Sequence, residues 1–176
     1  VEHRGEAALA LHVVAGAQQP AKAPYADGTR LRIGRLQKGN PDRDVLIVHG
    51  LAEHLGRYTH VAQAFSEAGW RVTVLELRGH GHSGGRRGHV NRWSDYVADL
   101  RAAFDACSTQ PVIVAHSMGG LVSMDAIRDG LPVRKVAFSN PLWGVKVKAP
   151  ALKIAAAKGL SRIWPTLSLG NELDVR

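Results

Sequence analysis

Two short, unbroken apolar runs constrain this chain more than any other feature. Val45-Leu46-Ile47-Val48 and Pro111-Val112-Ile113-Val114-Ala115 contain no polar side chain, so each needs apolar cover on both faces. A strand buried on both faces belongs inside a parallel sheet that has helices on either side. The intervening sequence supplies those helices. Tyr58 to Ala68 places Val61, Ala64, Phe65 and Ala68 at helical spacing and stops at Gly69. Trp93 to Cys107 is a second amphipathic stretch with Ser94 or Asp95 as its cap, and Met118 to Arg128 is a third. Further strands are expected at Thr29–Leu36, after the hairpin signal Asp27-Gly28, at Val72–Leu77 and at Lys135–Ser139. Strand and helix alternating at this rhythm predict an α/β fold: a doubly wound, mostly parallel sheet.

Composition narrows the class. At 176 residues, 45% hydrophobic and 22% charged, the chain suits one globular domain and neither a disordered nor a fibrous protein. No apolar run approaches the roughly 18–20 residues that span a membrane as a helix. Cys107 is the single cysteine; it has no partner for an internal disulfide and reads as a small packed apolar group. The net charge of +8 suggests nucleic acid until it is located. From Arg134 onward there are eight Lys and Arg against two acids, Glu172 and Asp174, so the excess belongs mostly to the last quarter. No nucleic-acid-binding motif accompanies it, and nucleic acid is not expected as a partner. Residues 1–24 read as a leader and linker. A secretory remnant and an additional edge strand are the alternatives for its apolar part, Ala7 to Ala17.

The segment that carries chemistry follows the second buried run. Ala115-His116-Ser117-Met118-Gly119-Gly120 joins a strand to a helix. A sharp turn there needs small residues two before and two after the serine, because larger ones would collide across it. This is the setting of the nucleophile elbow G-x-S-x-G, with Ala115 in place of the first glycine. It predicts Ser117 in a strained backbone conformation, its hydroxyl above the carboxyl end of the sheet, acting as a nucleophile. The helix beginning at Met118 aims its N-terminal N–H groups at the same spot. A turn kept small only for strand–helix packing is the structural alternative.

Three further motifs precede it: His49-Gly50-Leu51-Ala52-Glu53-His54-Leu55-Gly56-Arg57-Tyr58, Arg78-Gly79-His80-Gly81-His82-Ser83 and Arg87-Gly88-His89-Val90. With the serine turn, in this order and spacing from about Tyr25 to Gly144, the chain resembles α/β-hydrolases of the monoacylglycerol lipase and lysophospholipase-like group, classed with the serine aminopeptidases (S33). Glu76, where the group usually carries Asp, and Ala115 depart from its pattern without removing a reacting group.

The resemblance implies a serine ester hydrolase that acts on a lipid-like acyl ester through an acyl-enzyme, with no cofactor and no metal. An acyltransferase or peptidase of the same fold, or a truncated non-catalytic binding protein, are the other readings. The backbone N–H groups of Leu51 and Met118 would form the oxyanion hole. Glu53 and Arg57, at i and i+4, can pair; they either approach the polar head of the substrate or hold the loop as an ion pair. His49, His54, His80 and His89 are expected to be structural. His80, His82 and His89 lack a further ligand at zinc spacing. His116 adjoins Ser117, but neighbouring side chains diverge at such a turn.

Ser117 would need a histidine base and an acid that orients it, in the chain order Ser, acid, His. No histidine follows His116, and the later acids are Asp125, Asp129, Glu172 and Asp174, none on the expected loop. The triad acid and histidine are therefore expected beyond Arg176. Residues 25–144 read as the N-terminal part of the hydrolase core, incomplete on its C-terminal side, and residues 145–176 as the start of a cap or lid. Val145 to Pro165 mixes Leu152, Ile154, Ala155, Leu160, Ile163 and Trp164 with Lys146, Lys148, Lys153, Lys158 and Arg162. Such a basic amphipathic segment suits a lid over an apolar channel, or transient contact with a membrane surface. The chain reads as cytoplasmic rather than secreted, and nothing in it fixes an oligomeric state.

Overall fold

A computed structural model of the chain describes residues 12–15, 28–144 and 151–164. Two compact units divide at Trp143 and Gly144. The first is a six-stranded sheet: β1 (His12–Ala15), β2 (Arg32–Leu36), β3 (Asp44–Val48), β4 (Arg71–Glu76), β5 (Val112–His116) and β6 (Val136–Ser139), in the order β1-β2-β4-β3-β5-β6. The four strands from β4 to β6 in that order run parallel, whereas β1 and β2 pair antiparallel at one side. From β3 the chain winds first to β4 on one side and then to β5 on the other, so the sheet is doubly wound. Of the readings of the leader, the edge strand is the one present at His12–Ala15.

The expected two-sided burial of β3 is visible residue by residue. Val45 and Ile47 join Leu36, Val72, Val74, Leu55 and Ala62 in a core beneath α1 (Thr59–Glu67). Leu46 and Val48 point the opposite way, to a second core with Tyr96, Val97 and Leu100 of α2 (Trp93–Asp105) and Val122 and Ala126 of α3 (Met118–Arg128). Successive residues of a strand face opposite sides of the sheet, and here both sides are covered by helix. Cys107 lies against Thr73 and Ala103, and burial pushes its thiol up to about 11, which leaves it unreactive at neutral pH.

Several boundaries and faces differ from the sequence reading. The strand expected at Thr29–Leu36 is β2 and starts at Arg32; Asp27, half of the hairpin signal, lies outside the described residues. In α1 the fully buried positions are Ala62 and Ser66, while Ala64 and Ala68 are exposed. The helix thus turns Ala62 and Ser66 inward, and a short 3-10 turn, Leu55–Tyr58, precedes it. Asp95 is not the cap of α2. Arg92 occupies that place, and Asp95, three residues on, accepts the Arg92 N–H at 3.3 Å.

The second unit contains α4 (Ala151–Ile163), a helix where the basic amphipathic segment was expected. Its residues from 154 onward are exposed, Ile163 and Trp164 among them. Lys146, Lys148 and Pro165 lie outside the described residues. Among the described residues no helix is long and apolar enough to cross a membrane.

Candidate functional site

The carboxyl ends of β3 and β5 are neighbours because winding reverses between them, which leaves a crevice that no crossover covers. Two loops meet there: residues 49–54 after β3, and the single residue Ser117 between β5 and α3. Ser117 has φ +48° and ψ −118°, a left-handed conformation that costs a non-glycine residue about 1–3 kcal/mol. Three backbone hydrogen bonds hold it there. Its N–H donates to Ser139 O at 3.1 Å, and its carbonyl accepts from Gly120 N–H at 3.0 Å and Leu142 N–H at 2.9 Å. β6 and the residues after it thus brace the turn from the side.

Why small residues surround it is now explicit. A Cβ on Gly119 would sit 2.6 Å from the carbonyl oxygens of both Val48 and His49, so helix α3 reaches the end of β3 only through a glycine. On the facing loop, a Cβ on Gly50 would lie 3.0 Å from Ser117 Cβ. Gly50 is the floor against which the serine rests.

Around Gly50 the sequence-predicted residues come together. Glu53 is held by residues close to it in the chain: Oε2 accepts the Gly50 N–H at 2.8 Å and the Tyr58 hydroxyl at 2.7 Å, and Oε1 pairs with Arg57 Nε at 3.2 Å. Burial pushes the Glu53 carboxyl up, but the Tyr58 and Gly50 hydrogen bonds and the charges of His116 and Arg57 outweigh it, and the net shift is downward. Tyr58 is raised by burial and by its bond to Glu53. Arg57 is mostly exposed. The Leu51 side chain is exposed and that of Met118 buried; neither residue's backbone N–H has a hydrogen-bond partner among the described residues.

His49 is fully buried at the end of β3. Its Nδ1 lies 2.7 Å from Gly50 O, and Leu77 N–H donates to its Nε2 at 3.1 Å. A carbonyl only accepts and an N–H only donates, so the hydrogen sits on Nδ1 and the ring is neutral. Burial holds its pKa below the usual histidine value. His80 packs on it with ring centres 5.2 Å apart and directs Nδ1 to Arg78 O at 2.9 Å. His116 turns toward β6, its Nδ1 3.0 Å from Ser139 O. His89 bonds Asn91 at 3.2 Å. Among the described residues no three His, Cys, Asp or Glu gather as metal ligands.

Two residues that shape the site were read from sequence only as a departure or as part of a motif. Glu76, fully buried, accepts Leu55 N–H at 3.0 Å and His82 N–H at 2.7 Å, and so ties the loop after β3 to the loop after β4. Arg78, also buried, is held by Asp99 at 2.7 Å and Asp95 at 3.6 Å from α2. An acid next to the apolar pair Val74-Leu75, at the end of a strand with an alternating apolar pattern, was the signal available for the first. Between these loops lies a cleft of about 260 Å³ lined by Ala52, Glu53, His54, Gly79, His80, Gly81 and Gly88. Ser117 is not among the residues that line it.

Comparison with known proteins fits this arrangement. The sequence pattern of the family described as serine aminopeptidase, S33, matches residues 39–176. The chain belongs to that family. Monoacylglycerol lipase of Mycolicibacterium smegmatis is 37% identical over 141 residues, 74% of this chain and 50% of the relative. Phospholipase YtpA of Bacillus subtilis is 30% identical over 74% of this chain and 52% of its own length. The crystal structure of Paleococcus ferrophilus monoacylglycerol lipase superposes with a TM-score of 0.66 at 34% identity, over 81% of this chain and 56% of that one. The chain thus has an α/β-hydrolase fold and spans about half the length of these relatives.

Proposed function

We propose that the natural protein is a serine ester hydrolase that acts on a lipid-like acyl ester, of the monoacylglycerol lipase or lysophospholipase type. The observation that carries this reading is Ser117, held at φ +48° between β5 and α3 with Gly50 against its Cβ. The names of the relatives support the substrate class.

In the proposed reaction Ser117 Oγ attacks the ester carbonyl, and its proton passes to a histidine base. The carbonyl oxygen becomes an oxyanion that accepts from the Leu51 and Met118 N–H groups, the second strengthened by the N-terminus of α3. Collapse expels the alcohol, which takes up that proton, and leaves an acyl-serine. Water then attacks the acyl carbonyl with the same base, releasing the acid and restoring Ser117. Glu53 and Arg57 border the side where the polar part of the substrate would lie. Because no histidine follows His116, the acid and base are assigned to polypeptide outside these 176 residues. α4 is assigned to a lid that borders the acyl chain and touches membrane surfaces transiently, in a protein of the cytoplasm.

Labelling of the full-length natural protein with a serine-directed fluorophosphonate tests the assignment. Label is expected on wild type and absent from Ser117→Ala; label that survives the substitution would sink it. The family's description favours one second reading, a peptidase. A panel of aminoacyl amides beside acyl esters separates the two, and an alcohol acceptor offered against water detects acyl transfer.

A further inference from the structure

Gly50 is gripped from both sides. Its N–H donates to Glu53 Oε2 at 2.8 Å, and its carbonyl oxygen lies 2.7 Å from His49 Nδ1, which carries the ring hydrogen. The peptide between Gly50 and Leu51 is trans, since no cis bond occurs among the described residues, so its C=O and N–H point in opposite directions. Holding the carbonyl toward the buried imidazole therefore turns the Leu51 N–H away from it, outward on the loop that Ser117 touches. Without that bond the peptide could rotate and withdraw the donor.

The imidazole is itself over-determined. Leu77 N–H, from the residue after β4, occupies Nε2 at 3.1 Å, which forces the hydrogen onto Nδ1. His80, Glu76 and Glu53 are the titratable groups around the ring, and none donates to it. Only one tautomer satisfies both neighbours.

We infer that His49 is a positioning residue: as the neutral Nδ1–H tautomer it clamps the Gly50 carbonyl and thereby aims the Leu51 N–H as an oxyanion donor, with Glu53 clamping the other side of Gly50. This rests on the esterase reading above and adds a residue to it that touches neither substrate nor Ser117.

Two measurements on the full-length protein test it. Nitrogen NMR of histidine-labelled wild type is expected to show His49 with hydrogen on Nδ1; a hydrogen on Nε2 overturns the inference. In kinetics with a short-chain monoacyl ester, His49→Gln removes the donor at the Nδ1 position. It is expected to lower kcat about 10- to 100-fold with KM within about twofold, because a misaimed donor weakens the transition state and not ground-state binding. The rate of phosphonylation of Ser117 should fall in parallel. His49→Asn, whose amide nitrogen can stand at the Nδ1 position, should lose distinctly less. A folded His49→Gln labelled at the wild-type rate overturns the clamp and leaves the esterase reading standing. Wild type that takes no label at Ser117 overturns both. Should His49→Gln fail to fold, judged by its circular dichroism, the tautomer and the Asn variant still decide.

Discussion

Ser117 and Gly119 illustrate how one turn concentrates constraints. The serine is held in a left-handed conformation by bonds to Ser139, Gly120 and Leu142, while Gly119 lets α3 touch the last two carbonyls of the β3 end. Gly119→Ala is expected to destabilise the fold by about 1–3 kcal/mol, because its methyl meets rigid backbone instead of a side chain that can move. Chemical denaturation reads this directly, and a change below a few tenths of that range would contradict the packing described. The need for small residues on both sides of the serine was legible in the sequence. That Gly50 lies against Ser117 was not, because the two residues are 67 positions apart in the chain and only the pairing of β3 with β5 brings them together.

At the scale of elements, the loops that form the crevice are tied down by buried acids. Arg78 carries the loop after β4 to α2 through Asp99 and Asp95. Removing Arg78 would leave Asp99, fully buried, without its cation. Arg78→Ala is therefore expected to cost about 3–5 kcal/mol, measured as the shift in the denaturation midpoint at constant slope. Across the other side, Trp93 Nε1 donates to Asp125 Oδ2 at 2.6 Å and joins α2 to α3. Trp93→Phe keeps the ring and loses that bond, for an expected cost of about 1–3 kcal/mol by the same measurement. Helix periodicity located α2 and α3, but it could not show which residues cap or cross-link them. Asp95 illustrates the point: its polarity suggested a cap, whereas its carboxylate serves Arg78 and the Arg92 N–H from the third helical position.

For the whole molecule, the groups buried around Gly50 make stability depend on pH in one direction. His49 has a folded pKa below its ordinary 6.5. Below about pH 6.5 the unfolded chain gains a proton that the folded chain resists, so stability falls as pH falls. Glu53 is depressed below its ordinary 4.5, and its contribution is complete above that value and lost further into acid. The expected outcome is a Tm that is level above pH 7, begins to decline as pH falls below about 6.5, and drops further below about 4.5. His49→Asn should remove the first decline. A wild-type Tm that rises on acidification through pH 6 would contradict the neutral, buried state of His49.

The amino-acid sequence by itself determined the α/β class, the parallel core strands and the serine turn. Each of these is written in local pattern: unbroken apolar runs, helical spacing, and small residues flanking a serine. The edge position of His12–Ala15, the roll of α1 toward Ala62 and Ser66, and the grip of His49 and Glu53 on Gly50 were decided by the tertiary structure. They depend on bonds between residues far apart in sequence or on the direction in which a side chain turns. Local pattern specifies what must be buried; only packing selects the partners of the buried polar groups, most of which are satisfied by whichever neighbour the fold delivers.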